Sequence, residues 1–293
     1  MPEATVRGVP INYRVIGDGG PWIAFTPGSR RPYGELVDLS KNIAASGYRV
    51  LLHDRRNCGA SGVAFESSGS EHEIWADDLY ALGGQLGALP MYVGGSSAGA
   101  RLAILYAMRH PDGLRGLLLW RLTGGREAVD RLAENYYGQY IKMAQASGME
   151  AVCESEHFSD CIKARPDNRD RLLKTRVADF IQIMGHWRDA FLQSANLPIV
   201  GATEADLRAI KAPVCLIAGN DVIHTPATAR KAASLIRNSE LHDDVVEKRA
   251  DDDLLKEWDR GEWRDAEPRI AAIFTAFLKH AEASGVTIEG ARQ

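Results

Sequence analysis

The chain has 293 residues, a formal net charge of −4, 45% hydrophobic residues, 4 Cys and 8 His. That length allows one large core or a core with a smaller domain, and the mild acidity leaves no basic footprint for nucleic acid. No apolar run approaches the roughly 20 residues of a membrane span, and Met1 to Pro10 has no apolar signal region, so a cytoplasmic protein is expected. Cys58, Cys153, Cys161 and Cys215 lack C-x-x-C spacing, which argues against a zinc cluster or a disulfide scaffold.

Val6–Val15 reads as an edge strand, with Gly17-Asp18-Gly19-Gly20 as a hairpin-type turn. Trp22–Thr26 is a short apolar strand ended by Pro27-Gly28. Glu35–Ser46 has helical spacing at Leu36, Leu39 and Ile43 and stops at Gly47. Tyr48–His53 is another strand. Glu71–Leu86 is a helix, with apolar Ile74, Trp75, Leu79, Leu82 and Leu86. Met91–Val93 is a buried strand running into Gly94-Gly95-Ser96-Ser97-Ala98-Gly99; Ala100–Arg109 is a helix, and Leu114–Trp120 a strand. From Arg126 to about Ile199 the sequence is helical, charged and aromatic. Alternation resumes with Pro213–Ala218, a helix near Ala227–Ile236, a strand near Leu241–Val246 and a last helix, Glu267–His280. Gly285–Gln293 reads as a loose tail. Strand–helix alternation predicts an α/β fold with a mostly parallel, doubly wound sheet. The core is expected over 1–124 and 201–293, with a helical insertion over 125–200.

Gly95-Ser96-Ser97-Ala98-Gly99 fits G-x-S-x-G. In that motif the serine sits on a tight strand-to-helix turn that projects its Oγ, and the next N–H, here of Ala98, points at a developing oxyanion. The alternative reading is a glycine-rich turn that only packs helix on strand. Ser96 competes for the role, with Gly94 two residues before it but Ala98 two residues after; the glycine placement favours Ser97.

On these residues the sequence resembles the α/β-hydrolase superfamily, in the branch with a helical cap. Phe25-Thr26-Pro27-Gly28-Ser29 is similar to the family's oxyanion loop, with Pro27 in place of its His. Asp54-Arg55-Arg56-Asn57-Cys58-Gly59-Ala60-Ser61 looks like its D-x-R-G-x-G-x-S loop. Arg109-His110-Pro111 closes a helix of the family's usual length. Pro213-Val-Cys-Leu-Ile-Ala-Gly-Asn-Asp221 is similar to the strand that ends in the family's acid. The resemblance implies a triad carboxylate at Asp221 and oxyanion N–H groups from Ser29 and Ala98. Asp221 read on its own could equally cap a helix or form a turn.

The base departs from the family pattern. The family's His follows the last strand, where this chain reads Val245 to Asp253 without a histidine. A serine without a base is a poor nucleophile at neutral pH. His224, three residues after Asp221, is the leading substitute. His157 and His186 lie in the insertion and are the next candidates, followed by His242 at the start of the last predicted strand. His53 is placed at a strand end, and His72, His110 and His280 on the surface or at helix ends. If no His serves, a carboxylate of Asp251–Asp253 could stand in, against its simpler reading as a solvated acidic turn.

Arg30, Arg31, Arg55, Arg56 and Arg121 fall on loops at the catalytic end. Guanidinium groups there suit a carboxylate-bearing substrate, although salt bridges to Asp54, Asp77 or Asp78 would account for them equally well. Tyr136, Tyr137, Tyr140, Phe158, Phe180, Trp187 and Phe191 would pack the insertion or line an apolar pocket, with His186 and Trp187 as substrate contacts. Cys58 has no adjacent base and is read as inert. The function expected is hydrolysis of a small ester, lactone, amide or C–C bond by Ser97, Asp221 and His224. The alternatives are a small-molecule binding protein or a non-hydrolytic lyase or cyclase on the same fold. No cofactor, metal, nucleic acid or membrane is expected. The expected partner is a small-molecule substrate, with homodimer formation left open.

Overall fold

Nearly every residue of the central strands is buried, Trp22, Arg49 and Arg115 being partly exposed, and period-2 alternation sends successive side chains to opposite sides of one sheet. The computed structural model describes residues 2–246 and 261–284. Among them, eight strands form one sheet: β1 (Glu3–Val6), β2 (Val9–Ile16), β3 (Trp22–Thr26), β4 (Arg49–His53), β5 (Met91–Ser96), β6 (Leu114–Trp120), β7 (Val214–Ile217) and β8 (Ser239–His242). Their order is β1-β2-β4-β3-β5-β6-β7-β8. The pairs β1–β2 and β2–β4 are antiparallel and the rest parallel.

Leu51, Leu117, Leu119, Val214 and Leu216 face α2 (Glu71–Gln85) and α3 (Ala98–Arg109). Val50, Leu52, Leu118, Trp120, Cys215 and Ile217 face the other way, toward α1 (Val37–Ala44) and the C-terminal helix Glu267–Ala283. Between β6 and β7 the chain forms α4 (Arg126–Ala133), α5 (Gln139–Glu154), α6 (Glu156–Ala164), α7 (Asp167–Lys174) and α8 (Val177–Leu192). These helices share their own core of Tyr137, Phe158, Phe180, Met184, Trp187 and Phe191. Asn168 ties them to the sheet side: its Oδ1 accepts from Val63 N–H at 2.8 Å and its Nδ2 donates to Ser61 O at 3.0 Å. α9 (Glu204–Ala209) leads into β7, and after that strand come α10 (Pro226–Leu235), α11 (Gly261–Asp265) and α12 (Glu267–Ala283). No helix among the described residues is long and apolar enough to cross a membrane.

Three sequence expectations are corrected. The predicted edge strand Val6–Val15 is broken at Arg7 and Gly8, both with positive φ (47° and 80°), into a hairpin. β1 therefore forms the edge, and β2 lies inside it. The turn at residues 17–20 is not a hairpin, because β4 inserts between β2 and β3. The last strand is shorter and earlier than Leu241–Val246, so His242 ends it rather than starting it. Asp251–Asp253 and residues 285–293 lie outside the described residues.

Candidate active site

β5 and β7 are parallel and separated by one strand, so their carboxyl ends deliver chain to the same edge of the sheet. Ser97 leaves β5 with φ 53° and ψ −110° and caps α3. That strained turn aims the serine Oγ off the end of the strand, where it meets His224, although Ser97 itself is buried. The glycines on either side are required by crowding. A Cβ on Gly95 or Gly99 would overlap the Thr26 carbonyl, because the Pro27–Ser29 loop crosses directly over the elbow. A Cβ on Gly28 would stand 3.4 Å from that of Ser97. Ser96 is the last residue of β5 and so precedes the turn.

The structure brings Ser97, Asp221 and His224 together. His224 Nε2 lies 2.8 Å from Ser97 Oγ, across 127 residues of sequence. His224 Nδ1 lies 2.9 Å from both Asp221 oxygens. A carboxylate only accepts, so the proton sits on Nδ1, and Nε2 is left to accept from the serine hydroxyl. Asp221 Oδ1 also accepts from the N–H groups of Ile223 and His224, at 2.9 and 2.8 Å, in a tight turn that presents the ring. Gly219 makes room for it, since a Cβ there would overlap the backbone and Cβ of His224.

The electrostatics favour a neutral imidazole beside an ionised carboxylate. Burial pushes His224 down to about 4, and the nearby Arg121 and Arg101 cations push the same way against the pull of Asp221. For Asp221 burial opposes ionisation, but the His224 bonds and the Arg121 charge outweigh it and hold the carboxyl well below its usual range.

The candidate oxyanion donors flank the serine. Ala98 opens α3, where the first N–H groups have no acceptor within the helix. Ser29, with φ 46°, follows Gly28 in the crossing loop. A cleft of about 760 Å³ opens beside this loop, lined by Ser29, Arg30, Tyr33, Asp54, Tyr140 and His157; Ser97 is not part of its wall.

The remaining histidines are elsewhere. His186 is exposed on α8 and does not reach the serine, and His280 is exposed on α12. His157 Nε2 donates to Asn57 O at 2.8 Å. His242 pairs with Glu240 Oε1 at 2.7 Å. His110 pairs with Asp77 Oδ1 at 2.7 Å and stacks on Tyr80. His53 is buried at the end of β4. His72, expected at the surface, is 5% exposed and accepts from Arg101 Nη2 at 2.9 Å.

The arginines divide. Arg56 is bound to both Asp78 oxygens, at 2.5 and 2.6 Å, and is structural. Arg121 serves Asp221 rather than a rim. Arg31 pairs with Glu35 at 3.0 Å beside the cleft. Arg30 is buried, paired with Glu71 at 2.8 Å, and enclosed by the rings of Tyr136, Tyr137 and Tyr140. Trp187 is buried between Phe65 and Tyr137. Cys58 is buried and its thiol is pushed up to about 12, mainly by burial. Sequence reasoning missed Arg101. The signal was there: it is the one charged residue in the otherwise apolar run from Ala98 to Met108.

The chain matches no protein-family model. A proline iminopeptidase of Lactobacillus delbrueckii subsp. bulgaricus is 25% identical over 237 residues, 73% of this chain and 77% of that protein. Among solved structures, an esterase from Thermogutta terrifontis with malate bound superposes with a TM-score of 0.61 at 18% identity, over 95% of this chain and 98% of the esterase. An enol-lactonase from Burkholderia xenovorans LB400 gives 0.60 at 18% identity, over 95% of this chain and 100% of that one. With the eight-stranded sheet and the helices on its two faces, these likenesses make the chain a hydrolase of the α/β-hydrolase fold.

Proposed function

We propose that the protein is a serine hydrolase of small carbonyl substrates, an ester, lactone, amide or activated C–C bond, with Ser97 as nucleophile. The observation that carries this is the unbroken relay from Asp221 through His224 to Ser97 Oγ, with 2.9 and 2.8 Å steps. His224 Nε2 takes the hydroxyl proton as Ser97 Oγ bonds to the carbonyl carbon. Asp221 stabilises the imidazolium, and the N–H groups of Ser29 and Ala98 hold the oxyanion. His224 then protonates the leaving group. Water attacks the acyl-enzyme with His224 again as base, returning Ser97 to its starting form. The relatives, named as a peptidase, an esterase and a lactonase, support the same reaction class.

The test is a fluorophosphonate probe followed by peptide mapping, together with p-nitrophenyl acetate turnover. One label per chain at Ser97 is expected, abolished by Ser97→Ala. His224→Ala should reduce kcat by about 10³-fold or more. A folded protein that takes no label between about pH 6 and 9, above the His224 titration, would refute the proposal and favour a binding protein or a lyase.

A further inference from the structure

We propose that three buried arginines beside the elbow, Arg30, Arg55 and Arg101, receive a carboxylate on the acyl part of the substrate. This rests on the serine-hydrolase reading above and adds the substrate class. Arg30 directly follows the candidate oxyanion donor Ser29. Arg101 stands one turn after Ser97 on α3, its N–H donating to Ser97 O at 3.0 Å. Their guanidinium carbons lie 5.6 and 6.0 Å from the centre of the same ring, Tyr136. Arg55 lies 4.5 Å over Trp75 and donates to Arg31 O at 3.3 Å, beneath the oxyanion loop. The three are 7%, 1% and 1% exposed, and on each of them Nε and Nη1 are buried without a hydrogen-bond partner.

The nearby acids do not balance them. Glu71 binds Arg30 Nη2 and the Tyr137 hydroxyl. Asp54 spends its oxygens on Asn12 Nδ2 and on the N–H groups of Tyr33 and Ala60. His72 and His157 face the same cluster and are kept neutral, first by burial and then by these cations. Among the described residues, three guanidinium groups thus face two carboxylates. A buried charge without a partner is costly, and a ligand that supplies the missing anion recovers that cost. The planar fork of a guanidinium matches a carboxylate better than any neutral group. The group belongs to the acyl side because two of the three arginines hang from the segments that carry Ser97 and Ser29. Of the three, Arg30 also lines the cleft of about 760 Å³, together with Tyr140, so that end of the cluster borders open space.

The test compares p-nitrophenyl hydrogen adipate with p-nitrophenyl hexanoate, which is its neutral analogue of equal chain length. The wild-type enzyme should show kcat/KM at least about tenfold higher for the acid. Arg101→Met and Arg30→Met should each remove most of that preference, mainly through KM. In case a variant does not fold, the wild-type chain carries a second measurement: adipate should slow fluorophosphonate labelling of Ser97, and 1,6-hexanediol should not. Equal rates on the two esters, or no protection by adipate, would overturn the carboxylate proposal and leave the serine-hydrolase reading standing. Absence of both labelling and ester hydrolysis would overturn the serine-hydrolase reading, and this proposal with it.

Discussion

Arg121 Nη2 donates to Asp221 Oδ2 at 3.1 Å, and the same guanidinium lies 5.1 Å over the ring of Trp263 on α11. The arginine that follows β6 is thereby committed to the carboxylate of the proposed triad. Its backbone is left-handed, at φ 56°, and its N–H donates to Ile217 O at 3.2 Å, so the side chain is held from both ends.

Arg121→Met removes a cation that, after burial, is the main cause of the depressed His224 pKa. The expected result is a kcat about tenfold lower, because a charge-assisted bond to Asp221 is lost. The acid limb of kcat/KM, near pH 4 in the wild type, should move upward, since the repulsion of the imidazolium is gone. Arg121→Lys should keep the limb close to its wild-type position. Arg31 and Glu35 also face Arg121 and offset one another. A limb unmoved in Arg121→Met would mean that burial alone sets the base.

Gly219→Ala places a Cβ against the backbone and Cβ of His224. The Asp221–His224 turn must shift to admit it. A displacement of about 1 Å at the base costs on the order of 10² in rate. Turnover should fall by about that factor while circular dichroism stays native; unchanged turnover would show that the turn yields without moving the ring.

Asn168→Ala should loosen the α4–α8 layer from the sheet side. The amide satisfies Val63 N–H, Ser61 O and Cys161 O within a fully buried site; alanine leaves Val63 N–H and Ser61 O unpaired, while Cys161 O keeps the N–H of Arg165. The expected loss is about 2 kcal/mol, read as a lower urea midpoint. No change in midpoint would mean that water enters and replaces the amide.

Acid should unfold the protein through its buried histidines, at or above the usual carboxylate range. His53 and His157 are pushed down to about 3 and His224 to about 4, and His72 lies well below its ordinary value, in each case chiefly by burial. Each native pKa is below the unfolded value near 6.5, so the unfolded chain binds more protons as pH falls. Stability is whole above about pH 6.5 and declines below it, by about 1.4 kcal/mol per histidine for each pH unit, until the native pKa is reached. Against a total of about 5–15 kcal/mol, unfolding should centre between about pH 4 and 5.5. A flat stability curve from pH 7 to 4 would contradict this assignment of neutral buried histidines.

The sequence by itself determined the parts whose physics is local. The elbow was legible because a serine on a tight strand-to-helix turn needs Gly95 and Gly99 at its sides, whatever the rest of the chain does. The strands β3 and β6 were legible because continuous apolar runs of that length have few other uses. What needed the tertiary structure were pairings between distant segments and the depth of burial. Eight histidines offered several bases, and only the parallel sheet, by setting the ends of β5 and β7 at one edge, selects His224 for Ser97. The turn through Asp221 sets the candidate base, His224, in the loop after β7, ahead of the stretch where the resembled family keeps its histidine. The arginines could not be sorted by spacing either. Arg56 and Arg121 found carboxylates 22 and 100 residues away, whereas Arg101 and Arg55 were buried with nitrogens left open. Charge patterns on a sequence do not show which cations become buried or what they face, and that burial is what gives this site its chemistry.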